Sequence, residues 1–313
     1  MNNEFALDIT KGLTAKNKYI PDRQYYDDKG SIYFQELMAH EDYYPTNSEY
    51  EIFKNHKTEI CNIFSKENKQ IQLIEFGAGD GYKTKILIKE LLDINSNFIY
   101  YPIDYSEKYL IDLKNNFLND FPKLNLKYIN KDYFDALKDF ENTNNNFRKV
   151  ILFIGSSFGG LTHNEADTFL KSLYNLTSKD DIVLFGIDLK KSPEILRKAY
   201  HNTCKSWCFY LLNRINTELG GDLILKNFEY YTHYNPVTGE YKWYFLSKEK
   251  QTINIKKINL KVDLEKWEPI YFSKSKKFSE NEIKELLDNH NFKIINQFFD
   301  NKNYFTNIIF TKK

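Results

Sequence analysis

The chain has 313 residues, of which 42% are hydrophobic and 17% aromatic, and its 44 Lys+Arg nearly balance its 43 Asp+Glu. The near-neutral charge argues against a nucleic-acid partner held by overall positive charge. Disorder is excluded because aromatic side chains at this density bury enough apolar surface to offset chain entropy. The length suffices for two packed domains. The surplus of 24 Tyr and 25 Phe is consistent with either an AT-rich coding sequence or a binding surface.

Cysteine usage and hydropathy predict a cytoplasmic protein with no membrane partner. The only cysteines are Cys61, Cys204 and Cys208, too few for a disulfide framework. The N-terminal segment lacks the apolar core of a signal peptide, and no run approaches the ~18 apolar residues of a membrane span.

His201, Cys204 and Cys208 follow one another at helical spacing. Three ligands on one helix rarely complete a tetrahedral zinc site, and no partner pair is evident. We therefore predict no metal and interpret the two cysteines as packing residues.

Short apolar segments alternate with amphipathic ones from residue 71 onward, which is typical of a parallel sheet with crossover helices. The predicted strands span residues 71–76, 98–103, 126–130, 150–155 and 181–188. The asparagine-rich stretch 141–147 is predicted to be a surface loop before the fourth strand.

The pattern changes after residue 190. A helical stretch spans 192–220, two strand-like segments (228–235 and 240–247) are joined by a PVTG turn, and residues 256–266 alternate like an exposed strand. Ser279 and Glu282 have the spacing of a capping box, which predicts a helix start, and two further strands complete the chain. The predicted class is α/β: a doubly wound, Rossmann-like sheet with a second, smaller α+β domain.

The strongest local signal follows the first predicted strand, where residues 75–81 read Glu-Phe-Gly-Ala-Gly-Asp-Gly. The glycines allow a tight turn close to a ligand, but the spacing is neither that of dinucleotide binders nor that of phosphate loops. Asp104 ends the second strand, and Asp132-Tyr133 follows the third. These acids either cap the next helices or recognise adenosine. Their shared position after successive strands favours adenosine, and the arrangement resembles class I S-adenosylmethionine-dependent methyltransferases.

A series of distinctive motifs extends over nearly the whole chain. They are Tyr26-Asp27-Asp28-Lys29-Gly30-Ser31, Asp42-Tyr43-Tyr44-Pro45-Thr46 with Glu49, Glu75-Phe76-Gly77-Ala78-Gly79 with Lys83-Thr84, Pro102-Ile103-Asp104-Tyr105-Ser106, Gly155-Ser156-Ser157-Phe158-Gly159, Gly186-Ile187-Asp188-Leu189-Lys190, Ala199-Tyr200, Leu211-Leu212-Asn213-Arg214-Ile215-Asn216 and Ser275-Lys276-Lys277-Phe278-Ser279. In this order, the motifs resemble those of the histidine Nα-methyltransferases of the ergothioneine pathway.

The resemblance implies S-adenosylmethionine as cofactor and a division into residues 59–199 with 279–313, which bind it, and residues 1–58 with 200–278, which bind the acceptor. It implies that Gly77 and Lys83 contact the methionine part, Asp104 the ribose, and Asp132 with Tyr133 the adenine. The implied cofactor-binding residues are Glu75, Gly77, Gly79, Lys83, Asp104, Asp132 and Tyr133.

The resemblance also implies an acceptor site rich in tyrosine. Tyr26 and Tyr43 are the predicted catalytic residues, which orient the amine, and Tyr200 is expected to bind the acceptor's carboxylate. Tyr44 is expected to pack a helix on the core. The implied acceptor-binding residues are Tyr26, Tyr43, Gly160, Tyr200, Ser273 and Ser275.

Two positions depart from the family pattern. Gly160 stands where the family has an asparagine that holds the acceptor's amino and carboxylate groups, and Ser273 replaces the glutamate of an E-x-S motif that binds imidazole. Losing that glutamate removes a charge-assisted hydrogen bond worth about 1.5 to 3 kcal/mol. The predicted reaction is methylation of the α-amine of a small amino acid, either histidine or another, aromatic one. The alternatives are a different small amine, a peptide N-terminus, or a nucleotide-binding homologue without turnover, and the sequence leaves the oligomeric state open.

Overall fold

A computed structural model describes residues 3–25, 27–66, 69–140 and 147–313. The helices, in chain order, are α1 (Asn3–Thr14), α2 (Asp28–Met38), α3 (Tyr44–Ser65), α4 (Thr84–Asp93), α5 (Glu107–Asp120), α6 (Tyr133–Phe140), α7 (His163–Leu176), α8 (Pro193–Arg197), α9 (Thr203–Leu219) and α10 (Glu280–Asn289). The strands are β1 (Gln70–Phe76), β2 (Phe98–Asp104), β3 (Ile129–Asn130), β4 (Phe147–Phe153), β5 (Ile182–Asp188), β6 (Phe228–Asn235), β7 (Glu240–Ser247), β8 (Gln251–Ile255), β9 (Leu260–Leu264), β10 (Pro269–Lys276), β11 (Phe292–Phe299) and β12 (Phe305–Lys312).

The chain forms two compact units: unit 1 is Met1–Tyr44 with Lys191–Lys276, and unit 2 is Pro45–Lys190 with Lys277–Lys313. The first boundary therefore follows Tyr44, the first residue of α3, whereas the sequence placed it after residue 58. The reason is packing, because Ile52 and Phe53 on α3 are fully buried in the core of unit 2.

Unit 2 is built on a sheet whose described strands run in the order β3-β2-β1-β4-β5-β12-β11. The strands from β3 to β5 are parallel to their neighbours, whereas β12 is antiparallel to both β5 and β11. Strand β3 is shorter than predicted, because Leu126 forms only an isolated bridge to Tyr100. Strand β4 begins at Phe147, and the rest of the predicted loop, 141–146, lies outside the described residues.

Successive side chains of the central strands point to opposite faces of this sheet, as strand geometry requires. Leu73 of β1 packs into a core with α3, α4 and α5, while its neighbour Ile74 packs into a second core with α6, α7 and α10. Both residues are fully buried. Helices on both faces confirm the predicted doubly wound class.

Two helices of unit 2 begin at capping boxes. The predicted capping box at Ser279 and Glu282 is present at the start of α10, and Thr162 with Glu165 forms another at α7. Each box satisfies backbone N–H groups that the first helical turn leaves without partners.

Unit 1 combines α1, α2, α8 and α9 with an antiparallel sheet in the order β10-β7-β6 and a β8-β9 hairpin. The predicted turn at 236–239 joins β6 to β7, and its last residue, Gly239, has a φ of 75°. The predicted exposed strand is half-buried instead, because Val262 and Leu264 of β9 face the core.

The long helix predicted at 192–220 is interrupted. A π-helical turn, Lys198–Asn202, separates α8 from α9, and α9 ends at Gly220 with a φ of 70°. Such turns are rare and occur often at functional sites. Among the described helices, none is long and apolar enough to span a membrane.

Candidate functional site

The turn after β1 follows the carboxyl edge of the unit 2 sheet. Gly77, Gly79 and Gly81 have φ values of 70°, 55° and 68°, a conformation that suits glycine. A Cβ atom at Gly77 would lie 2.9 Å from the hydroxyl oxygen of Tyr133, whereas one at Gly79 would meet no atom within 4 Å. The turn therefore leaves open space beside Gly79 for a ligand that approaches the backbone.

Asp104 at the end of β2 holds this turn. Its Oδ2 accepts a hydrogen bond from the Gly79 N–H at 3.0 Å, and its Oδ1 accepts one from the Ser106 N–H at 3.1 Å. Burial raises the pKa of Asp104, and these backbone N–H groups oppose that rise. Gly79 and Asp104, predicted separately, are thus brought together by the structure.

Glu75 lies beneath the turn with 1% of its surface exposed. One carboxylate oxygen accepts a hydrogen bond from the Thr84 hydroxyl at 2.6 Å, and the other accepts one from the Tyr100 hydroxyl. Burial raises the pKa of Glu75 to about 7. These contacts support the turn from within the sheet, so cofactor contact by Glu75 stays a prediction.

Lys83 forms an ion pair with Glu49 of α3. Glu49 was not among the site residues predicted from the sequence. Glu49 is fully buried, and its carboxylate also accepts hydrogen bonds from the Gly155 N–H at 2.8 Å and the Asn307 side chain at 2.9 Å. It therefore joins α3 to the segments after β1 and β4 and to β12. The only sequence signal was its place in a family motif.

Asp132 and Tyr133 start α6. The Oδ1 atom of Asp132 accepts hydrogen bonds from the Phe134 and Asp135 N–H groups at 2.8 and 3.1 Å, which is the capping role left open from the sequence. The Tyr133 ring packs edge-on against Phe153 at 5.1 Å, with its hydroxyl beside Gly77. Adenine recognition by this pair stays a prediction.

The segment after β4 is conformationally unusual. Gly155 and Ser156 both have left-handed backbones, with φ values of 72° and 62°. A non-glycine residue in this region is uncommon and often marks a functional turn. Gly160, in the following short helix, has no atom within 4 Å of a Cβ position. Unit 2 therefore has space at position 160 for the asparagine of the family pattern, and crowding within this unit does not explain the glycine.

Unit 1 contains an aromatic cluster, which we define as Tyr43, Tyr200, Tyr241 and Trp243. The ring centroid of Tyr200 lies 5.6 Å from that of Tyr43, 5.3 Å from that of Tyr241 and 5.6 Å from that of Trp243. The structure thus brings together two tyrosines that are far apart in sequence and were predicted to bind the acceptor. Tyr26 lies outside the described residues.

Tyr44, next to this cluster, receives a hydrogen bond from Lys191 Nζ at 2.8 Å and contacts Tyr200 edge-on. Its ring packs against the core of unit 1, as predicted.

Ser273 and Ser275 lie on the aromatic side of the unit 1 sheet. Across the β10-β7 pair, Ser273 is opposite Trp243 and Ser275 is opposite Tyr241. Directly opposite residues of an antiparallel pair share a face. Lys274 points to the other face, where its Nζ lies 3.5 Å from Glu240, and burial lowers its pKa.

Trp243 was missed by sequence reasoning. Its side chain is 6% exposed, and its Nε1 is a buried donor without a hydrogen-bond partner in the described part of the chain. An unmade buried hydrogen bond costs about 1 to 3 kcal/mol. The sheet face that carries Ser273, at the position of the family's glutamate, therefore also carries the unused Nε1 donor of Trp243.

The cysteines behave as packing residues. Cys204 and Cys208 are 2% and 1% exposed in the core of unit 1, and burial raises the pKa of Cys208. Across the described residues, no cluster of at least three His, Cys, Asp or Glu side chains is arranged to hold a metal ion.

Comparison with known proteins finds methyltransferases. A family model described as a histidine-specific, S-adenosylmethionine-dependent methyltransferase matches residues 5–312. A histidine N-alpha-methyltransferase from Mycolicibacterium smegmatis is 26% identical over 90% of this chain and 87% of its own. An L-tryptophan methyltransferase from Psilocybe serbica is 25% identical over 90% of this chain and 85% of its own. A Synechocystis magnesium protoporphyrin IX methyltransferase structure with bound S-adenosylhomocysteine aligns with a TM-score of 0.46 and 10% identity, covering 93% of this chain and 98% of that one.

The sheet order, the glycine turn and the acid at the end of β2, together with the family match, define a class I S-adenosylmethionine-dependent methyltransferase. Within that class of enzymes, the chain belongs to the histidine-specific methyltransferase family, whose cofactor is S-adenosylmethionine. The residues present suit that cofactor, because Gly79 leaves open space beside a carboxylate that can accept hydrogen bonds from hydroxyl groups.

Proposed function

We propose that this enzyme methylates the α-amine of a small amino acid, histidine or another, aromatic one, with unit 2 binding S-adenosylmethionine and unit 1 binding the acceptor. The observation that carries the acceptor assignment is the aromatic cluster in unit 1, which joins Tyr43 and Tyr200 on the face that bears Ser273. The histidine and tryptophan enzymes among the relatives support an amino-acid acceptor.

The cofactor supplies the methyl group from its sulfonium when it is bound. In-line transfer requires an acceptor lone pair held about 3 Å from the methyl carbon, so the amine has to be neutral. Tyrosine hydroxyls of the cluster can orient this amine, and their ring faces attract the methylammonium product. We assign this orienting role to Tyr43 and Tyr26, and carboxylate binding to Tyr200.

The proposal is tested by turnover. The protein is incubated with S-adenosylmethionine and a panel of amino acids, other small amines and short peptides, and release of S-adenosylhomocysteine is measured. We expect turnover with free amino acids above the other acceptors. Cofactor binding without turnover of any amine would instead support the nucleotide-binding alternative, and a preference for peptides would move the acceptor to a chain terminus.

Asp104→Asn is expected to weaken S-adenosylmethionine binding about 10- to 100-fold, because a charge-assisted hydrogen bond to the ribose loses its charge. The substituted side chain retains an oxygen for the Gly79 N–H, so the turn itself should persist. Isothermal titration calorimetry measures the effect. Asp93→Asn removes an exposed carboxylate of the same unit, at the end of α4, and serves as control. Equal affinities of the two variants would refute the ribose role.

Ser273→Glu is expected to raise the preference for histidine over phenylalanine about 10-fold in kcat/KM. The substitution places opposite Trp243 a carboxylate that can accept a hydrogen bond from the imidazole of histidine. The unused Trp243 Nε1 donor favours a carboxylate on this face. Ser273→Gln has a side chain of the same length without the charge, so it should change the ratio less. An unchanged ratio in both variants would place Ser273 away from the acceptor's side chain.

A further inference from the structure

A hydrogen-bonded chain leads away from the aromatic cluster of unit 1. The Tyr241 hydroxyl lies 2.9 Å from Thr232 Oγ1, and Thr232 Oγ1 lies 3.0 Å from His201 Nδ1. Tyr241 is 2% exposed, whereas His201 is only partly buried. The three groups therefore connect a buried hydroxyl beside Tyr200 to an imidazole that reaches solvent.

The surrounding structure holds this chain in place. His201 stacks on Tyr230 with ring centroids 5.2 Å apart, and it follows Tyr200 directly on the π-helical turn. Thr232 is opposite Trp243 in the β6-β7 pair, so its hydroxyl lies on the aromatic side of the sheet. The turn that positions the predicted carboxylate-binding tyrosine thus also positions the imidazole.

We propose that Tyr241, Thr232 and His201 form a relay that carries a proton from the acceptor's ammonium group to solvent. This inference rests on the proposed function, because it requires an amine acceptor in the aromatic cluster. The family resemblance assigned none of the three residues to the site. The reaction requires removal of this proton, because an ammonium group has no lone pair with which to attack the methyl carbon.

The Tyr241 hydroxyl accepts a proton from the ammonium and donates its own to Thr232, which donates its proton to the Nδ1 lone pair of His201. One ammonium N–H bond breaks, one Nδ1–H bond forms, and the positive charge passes from the amine to the imidazole. The imidazolium releases its Nε2 proton to water, and exchange of the partly exposed ring with solvent restores the starting tautomer.

The charges around the relay suit this direction. Burial, followed by the positive charges of Arg197 and Lys205, lowers the pKa of His201, so the imidazole is neutral near pH 7 and can accept a proton. Burial raises the pKa of Tyr241 to about 12, the Thr232 hydrogen bond and Arg197 oppose that rise, and Cys204 adds to it. Tyr241 therefore passes a proton on and does not lose it permanently. Tyr230, stacked on His201, has a strongly raised pKa because of burial and stays neutral.

The test compares Thr232→Val with Thr232→Ser. Valine keeps the shape of threonine and removes the hydroxyl, whereas serine keeps it. For Thr232→Val we expect kcat to fall about 100-fold, which is the lower end of the range for loss of general acid–base catalysis. The ascending limb of the kcat–pH profile should also move to higher pH. Thr232→Ser should restore both, and S-adenosylmethionine affinity should be unchanged in each. Thr252→Val removes a hydroxyl that bonds Asp263 elsewhere in unit 1 and should leave kcat unaltered.

The outcomes separate this inference from the proposed function. If the unmodified protein methylates no amine, both fail. If it methylates an amino acid while Thr232→Val keeps its kcat and pH profile, only the relay is overturned. An equal loss in the valine and serine variants would show a packing role and overturn the relay as well. His201→Asn retains an acceptor for the Thr232 hydroxyl but takes up no proton, so it should reproduce the valine profile; an unmodified pH profile would contradict the relay.

Discussion

Glu49→Gln is expected to lower the free energy of unfolding by about 3 kcal/mol, because it leaves the Lys83 ammonium without its buried counter-charge. Lys83 keeps 14% of its side chain exposed, which places the expected loss at the lower end for broken buried pairs. Urea denaturation followed by circular dichroism measures the change. The same variant should also weaken cofactor binding, since the segments after β1 and β4 both depend on Glu49.

The matched control is Glu51→Gln on the same helix. Glu51 bonds only the exposed Asn301 side chain among its described contacts, so this substitution should change the unfolding free energy by less than about 0.5 kcal/mol. A double-mutant cycle with Lys83→Met isolates the energy of the pair itself. Equal stabilities of the two glutamine variants would show that Glu49 contributes through packing alone.

Glu75→Gln is expected to reduce the pH dependence of stability. The folded pKa of Glu75 is raised from the ordinary 4.5 to about 7, so the folded protein binds this proton more tightly than the unfolded chain does. The stabilising contribution is fully present below pH 4.5 and is lost as the pH rises to about 7. Relative to Glu75→Gln, the free energy of unfolding of the unmodified protein should fall by about 3 kcal/mol across that pH interval. Urea titrations at pH values on both sides of the interval measure the difference.

Glu90→Gln provides a control of opposite sign. Hydrogen bonds from Lys57 and Thr58 lower the pKa of Glu90, so its contribution is present above the unfolded pKa and is lost as the pH falls. The two variants should therefore diverge from the unmodified protein in opposite directions as the pH rises. Parallel stability curves for Glu75→Gln and the unmodified protein would contradict a proton held at that site.

Most of the fold was predictable because local patterns and global structure agree. Apolar alternation located the strands, and the spacing of Ser279 and Glu282 located a helix start. The errors occur where long-range packing decides. The α3 helix belongs to unit 2 because it faces the sheet core, and the helix predicted at 192–220 is interrupted by a π-helical turn that its apolar periodicity does not reveal.

Individual residues of the candidate site were predictable from the sequence, whereas the contacts between them were not. Motifs identified Gly79, Asp104 and Tyr200, but no local pattern indicates that Asp104 accepts the Gly79 N–H. Trp243 was missed because a tryptophan in an alternating strand is the ordinary signal of a core residue. Its significance comes from its unused donor and its position opposite Ser273.

The sequence by itself determined the α/β class, the glycine turn, the acids after successive strands and the family, because each depends on residue type and short spacing. Tertiary structure decided which groups meet. Glu49 reaches Lys83 through the placement of α3, and His201 reaches Tyr241 through Thr232 because the π-helical turn lies beside β6. Hydrophobic periodicity states only which face of an element is buried, whereas the partner of a buried polar group is set by register and packing over long chain separations.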